Sequence, residues 1–287
     1  MDIGVFSSMP SSAADPAIVA KRAEELGFES YWVPDHPILP VDGEKEYPGL
    51  TADNAESVRY LLSHIPDPLM ALARAGAVTT TLKLGTGVYL VPERNPIISA
   101  QQIATLDDAV QGRFLFGIGA GWNEAECEML GGDFAHRWGQ TKDFIASMRA
   151  LWQDGESEYS GKYIEFSPVH CYPKPARKEG PPVLLGGITS PYVYRRVAEW
   201  GDGWAPLVPD ISAFEAGMDK LKQACDGAGR DMNSLDLTVF GMTGQWRTAD
   251  DVSALEKAGA NRTTIWLNAN ATEDIVTEME ALAKELL

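Results

Sequence analysis

Short apolar runs alternate with longer stretches of helical spacing along most of the chain. The strand-like runs are 2–6 (DIGVF), 29–33 (ESYWV), 82–88 (LKLGTGV), 113–119 (RFLFGIG), 182–187 (PVLLGG), 203–208 (GWAPLV), 235–242 (LDLTVFGM) and 262–267 (RTTIWL). Between them the period lengthens. Residues 16–26 place Ile18, Val19, Ala23 and Leu26 on one helical face, opened by Asp15 and Pro16 and stopped by Gly27. The same opening recurs at Asp67–Pro68 and Asn95–Pro96, and later helices are expected over 137–153, 190–200, 211–228, 249–259 and 272–286. Eight strands alternating with eight helices predict an α/β chain folded as a (β/α)8 TIM barrel, a design of about 250 residues. A doubly wound open sheet fits less well, because "GIGAGW" carries Trp122 where the dinucleotide fingerprint needs its third glycine. The chain therefore reads as one domain, 1–287. Two connections are too long for plain barrel loops: 37–66 after the second strand, and 154–181 after the helix that follows the fourth. The latter contains a hairpin pattern turning at Ser160–Gly161.

Composition narrows the partners. The 45% hydrophobic and 23% charged content is that of an ordinary soluble globular protein. A net charge of −17 argues against nucleic acid and means that an anionic ligand needs a local exception to the field. No run is long and apolar enough for a membrane span, and the N-terminal residues lack the cationic start of a signal peptide. The three scattered cysteines, Cys127, Cys171 and Cys225, read as free thiols in a reducing cytoplasm. With four histidines and no ligand pair at metal spacing, no metal site is expected.

Barrel chemistry sits where strands end at the C-terminal face. In "YWVPDHPILP" (31–40) an apolar strand stops at Pro34 and presents Asp35–His36 before Pro37. His36 suits general acid/base work or a hydrogen bond to a bound ring, and otherwise caps the loop. Asp35 either orients His36 or caps a turn. In "GGITSP" (186–191), Gly186, Gly187, Thr189 and Ser190 form a helix entry able to hold an anion, or simply a capped turn. The glycines of "LGTGV" (84–88) mark a bulge, a close ligand approach or a barrel-corner kink. Glu124 and Glu126 stand two apart and so point to different helix faces; an acidic first turn explains them more simply than a glycosidase-like pair. Arg137 meets an anion or faces water.

The stretches "LKLGTGVYLVPERNPIISAQQIATLDDAVQGRFLFGIGAGWNEAECEMLGGDF" and "PPVLLGGITSPYVYRRVAEWGDGWAP", with "WVPDH", resemble the luciferase-like monooxygenase family, most closely its coenzyme F420-dependent oxidoreductase branch. The resemblance runs from the first strand to about residue 208; FMN-dependent members share most of it. It implies a barrel, usually a homodimer, that holds a flavin or deazaflavin at its mouth. His36 then lies beside the redox ring with Asp35 next to it, and Gly87–Val88 press a bulge, often with a non-prolyl cis peptide, against the ring's back. Gly186, Gly187, Thr189 and Ser190 take the phosphate, and Asn123 faces the ring. Trp32, Tyr89 and Trp122 wall the substrate pocket, while Arg94 and Arg137 are candidates for an anionic tail. Some deazaflavin dehydrogenases carry Glu where this chain has Trp122, which sets a sugar-phosphate substrate in doubt. The expected activity is hydride transfer between F420 and a small organic substrate. The alternatives are an FMN monooxygenase served by a separate reductase, and a cofactor-binding barrel without turnover.

Overall fold

Parallel pairing closes the strands into a ring. The computed structural model describes residues 1–8, 14–47, 50–188 and 190–287. Its barrel strands are β1 (Asp2–Phe6), β2 (Ser30–Val33), β3 (Lys83–Thr86), β5 (Phe114–Gly119), β8 (Val183–Ile188), β9 (Gly203–Leu207), β10 (Asp236–Phe240) and β11 (Arg262–Trp266). Each pairs with the next in that order, β3 with β5 and β11 with β1, so no edge is left open. A two-residue strand, β4 (Tyr89–Leu90), extends the mouth side of β5. The expected (β/α)8 barrel is therefore the fold, an eight-stranded parallel barrel ringed by helices.

The outer layer comprises α1 (Pro16–Leu26), α3 (Pro68–Gly76), α4 (Pro96–Ala109), α6 (Arg137–Trp152), α7 (Pro191–Trp200), α8 (Ile211–Ala228), α9 (Ala249–Lys257) and α10 (Thr272–Leu286). Their starts follow the local grammar: Asp15, Asp67 and Asn95 each accept a backbone N–H of the first turn, and proline follows each. Gly27 ends α1 at φ 96°, a conformation that only glycine adopts without cost. One position departs from the expected face. Ile18 is 51% exposed, because the buried face of α1 centres on Val19, Ala20 and Ala23.

Both long connections contain structure. After β2 the chain makes a short 3-10 turn at Gly43–Glu46 and then α2 (Ala55–Ser63). After α6 it forms the hairpin β6 (Ser157–Ser160) and β7 (Glu165–Val169), closed by the Gly161 N–H donating to Ile164 O. A further short helix, α5 (Glu124–Met129), sits between β5 and α6. The cysteines are unpaired thiols. Among the described residues no helix is long and apolar enough to cross a membrane.

Inside the ring, Phe6, Trp32, Leu115, Leu184, Ala205 and Phe240 form one buried cluster. Glycines set its shape. A methyl at Gly85 would stand 2.2 Å from the Trp32 ring, and one at Gly87 2.7 Å from Phe240. The barrel is thus filled by a few large rings that require bare backbone opposite them.

Candidate active site

The C-terminal mouth is shaped first by the end of β3. The expected continuous strand 82–88 stops at Thr86, and a cis peptide joins Gly87 to Val88 before β4 resumes. Val88 lodges between two strands: a methyl on Gly119 would meet its Cγ2 at 2.5 Å, and one on Gly186 its Cγ1 at 2.4 Å. A methyl on Gly117 would stand 2.0 Å from Thr86 O. Glycines on β5 and β8 therefore make the room into which the end of β3 bulges. Gly87 and Val88 remain half-buried at the mouth, above the stacked rings of Phe6 and Trp266.

His36 stands at the rim with a side chain 10% exposed, and both ring nitrogens are engaged. Its Nδ1 lies 2.7 Å from Glu126 Oε2, and its Nε2 accepts from the Trp122 indole N–H at 3.1 Å. Indole only donates, so Nε2 carries the lone pair and Nδ1 carries the proton toward Glu126. Glu126 is fully buried, whereas Glu124 is exposed, as their two-residue spacing implied. A buried carboxylate at Nδ1, with the Trp122 indole at Nε2, fixes the tautomer needed by a general acid/base at Nε2. The sequence reading missed Glu126 in this role. Its only local signal was its place three residues after Asn123, which also describes an ordinary helix cap.

Asp35 is 3% exposed and serves another neighbour. Its Oδ1 accepts from Arg94 at 2.7 Å, and its Oδ2 accepts from Arg94 and from Leu90 N–H at 2.9 Å. The pair pins the residue before His36 to β4, and it removes Arg94 from the candidates for an anionic tail. Three other expected residues are not brought to the mouth. Trp32 is fully buried and donates to Ser30 Oγ at 2.8 Å; it fills the barrel because Gly85 leaves it space. Tyr89 is fully buried against α4, its hydroxyl 2.8 Å from Ser99 Oγ and its ring under Arg94. Asn123 is buried, accepts from Glu126 N–H at 2.9 Å and donates to Gly43 O at 3.2 Å, so it ties the post-β2 loop to α5. Trp122 does reach the rim, edge-on to both His36 and Tyr47.

The residues expected to take a phosphate follow β8. Gly186 is buried; Gly187, at φ 118°, has open space where a side chain would stand. Ser190 is the N-cap of α7 and makes no side-chain capping bond among the described residues, and the first turn of α7 holds no acid. Thr189 lies outside the described residues. Arg137 donates to Gly121 O and Phe134 O, and Arg196 stacks on Trp138; neither has a carboxylate partner among the described residues. Burial, then the charges of Arg195 and Arg137, lower the Arg196 pKa. In a chain of net charge −17 this is the local exception that a phosphate requires. A flavin or deazaflavin phosphate fits it. A cavity of about 410 Å³ lies elsewhere, beside Arg149 and Asp202, which are spent on each other.

Comparison with known proteins agrees with this geometry. An uncharacterized protein of Mycobacterium tuberculosis is 34% identical over 231 residues, 80% of each chain. The phthiodiolone/phenolphthiodiolone dimycocerosates ketoreductase of the same organism is 26% identical, over 93% of this chain and 72% of its own. Among solved structures, the monooxygenase RslO1 of Streptomyces bottropensis superposes with a TM-score of 0.78 at 18% identity, covering 100% of this chain and 98% of that one. An F420-dependent secondary alcohol dehydrogenase, solved with an F420-acetone adduct, gives 0.76 at 19% identity, covering 99% and 98%. The luciferase-like monooxygenase pattern matches residues 1–280, and the chain belongs to that family of oxidoreductases.

Proposed function

We propose that this protein is an F420-dependent oxidoreductase that moves a hydride between the deazaflavin and the carbonyl carbon of a small ketone or secondary alcohol. The observation that carries the reading is the Glu126–His36 pair at the end of β2, with Nε2 held by the Trp122 indole. The cofactor supplies the hydride. The chain supplies the proton and the surroundings. In the reducing direction the His36 imidazolium gives its Nε2 proton to the oxygen of the forming alcohol, while Glu126 holds Nδ1–H and stabilises the charged ring. In the oxidising direction neutral Nε2 takes that proton back. Trp122, which donates to Nε2 in this structure, must swing aside for substrate oxygen to take its place. The rings of the mouth exclude water from the reacting atoms.

Gly187, Ser190, Arg137 and Arg196 favour a cofactor with an anionic arm. The F420-dependent alcohol dehydrogenase neighbour favours F420 over FMN. The ketoreductase relative and the alcohol dehydrogenase neighbour support a carbonyl/alcohol substrate. Free cysteines suit a reducing cytoplasm. A homodimer is supported by the apolar groove between α3 and α4, where Met70 is 61% exposed. The test is absorbance titration with F420 and with FMN, followed by turnover of a panel of ketones and secondary alcohols. F420 is expected to bind tighter and to exchange hydride. His36→Ala should then lower turnover by about 10²–10⁴-fold with cofactor affinity retained. Tighter FMN binding with oxygen consumption would make the protein a monooxygenase, with a reductase as its partner. Binding of either without turnover would leave a carrier.

A further inference from the structure

Glu93 closes the short turn that follows β4 and is 3% exposed, yet neither of its carboxyl oxygens has a hydrogen-bond partner among the described residues. Arg94, next in sequence, is turned to Asp35 and Tyr89 instead. A carboxylate left dry and unpaired is far costlier than the neutral acid. The side chain reaches beneath the loop from β5 to α5: a methyl at Gly121 would stand 2.6 Å from Glu93 Oε1. That loop carries Trp122, and the helix after it carries Glu126, the two groups that grip His36 from opposite sides. The groups that bear on Glu93 are Glu126 and Cys127 of α5, Asp35 after β2, and Arg94; Arg137 of α6 reaches the same loop at Gly121 O. Burial, then the charges of Glu126 and Asp35, push the Glu93 carboxyl up to about 9, and Arg94 offsets this only in part.

We propose that Glu93 is a positioning residue for His36: a buried acid that keeps its proton, sets no second negative charge against Glu126, and so preserves the Glu126–His36 contact. When Glu93 loses its proton to solvent at alkaline pH, a second negative charge enters the dry site beside Glu126. The ring's environment then changes. This rests on the reading of His36 as the working acid/base, but its first test does not.

Nuclear magnetic resonance of isotope-labelled histidine in the cofactor-free protein, with the His36 signals identified by their loss in His36→Ala, follows the ring through the Glu93 step. The expected result is a movement centred near pH 9 that Glu93→Gln abolishes. Should the amide not be tolerated without partners, Glu93→Met, of similar length and without donors, carries the same expectation. In the loaded enzyme the fall in kcat near that pH should disappear with the NMR step. A wild-type ring with no movement there, or one that persists in the Gln or Met variant, overturns the proposal. Turnover that survives His36→Ala while the step is present sinks the functional reading alone; a missing step with an inactive His36→Ala sinks this proposal alone.

Discussion

At the scale of single residues, the division of labour around His36 is set by which partners can only donate and which only accept. Trp122 can only donate, Glu126 as a carboxylate can only accept, and the ring between them has one tautomer that satisfies both. Glu126→Gln tests this directly. The amide fills the same volume and still accepts from Nδ1–H, but it brings no negative charge to the imidazolium. The expected outcome is a kcat about 10²-fold lower, the low end for a general acid/base, with the cofactor's dissociation constant unchanged. Steady-state kinetics beside a binding titration separates the two, and a variant within a few-fold of the parent would reduce Glu126 to a packing group. His36 itself was legible because "VPDHP" sets titratable groups where an apolar run stops. Glu126 was not, since its partner lies 90 residues away and nothing local distinguishes it from a first-turn acid. Glu93 was hidden differently: nothing along the chain marks it as buried, or shows that Asp35 has claimed the arginine beside it.

At the scale of elements, the glycines of "LGTGV", "GIGAG" and "LLGG" form one device spread over three strands. The room that Gly119 and Gly186 leave is taken by the Val88 side chain, whereas the room at Gly117 is taken by the backbone oxygen of Thr86. Those two kinds of neighbour yield differently. Gly186→Ala should cost about 1–3 kcal/mol through overpacking, and Val88→Ala in the same chain should recover most of it. Gly117→Ala should cost more and gain nothing from Val88→Ala, because a carbonyl cannot be trimmed. Denaturant unfolding of the cofactor-free double-mutant cycle measures both, and equal rescue at 117 and 186 would contradict this packing. The sequence made each glycine pair visible and left its purpose open, since only barrel closure brings β3, β5 and β8 side by side. Helix starts were legible for the opposite reason: a cap and a proline act within one turn. The short helix α2 lay within the stretch 37–66 taken as a long connection, too brief for periodicity to mark it, whereas α5 begins at the acidic turn of Glu124 and Glu126.

At the scale of the molecule, the end opposite the chemistry is tied by one cation. Arg262 is 3% exposed and opens β11. It donates to Glu29 at 2.8 and 3.0 Å, to Asp236 at 2.9 Å and to Thr238 Oγ1 at 2.7 Å. Lys83 adds a second cation on Glu29, and Asp2 lies 3.7 Å from Arg262. These residues stand at the starts of β10, β11, β1, β2 and β3, five consecutive staves of the ring. Burial alone would raise the Glu29 carboxyl, but the hydrogen bonds and charge of Arg262, with help from Lys83, bring it down to about 2. A depressed carboxyl stabilises the fold above its unfolded value near 4.5 and loses that contribution as pH falls toward 2. Arg262→Met leaves Glu29 and Asp236 without their shared partner, so it should cost about 3–5 kcal/mol at neutral pH. The gap to the parent should then narrow as pH drops below about 4.5, because protonated carboxyls no longer need the arginine. Urea unfolding across that range gives the sign, and a gap that widens in acid would refute the assignment. The fraction that remains folded should bind cofactor as the parent does, since a barrel separates its stability at the N-terminal end from its chemistry at the other.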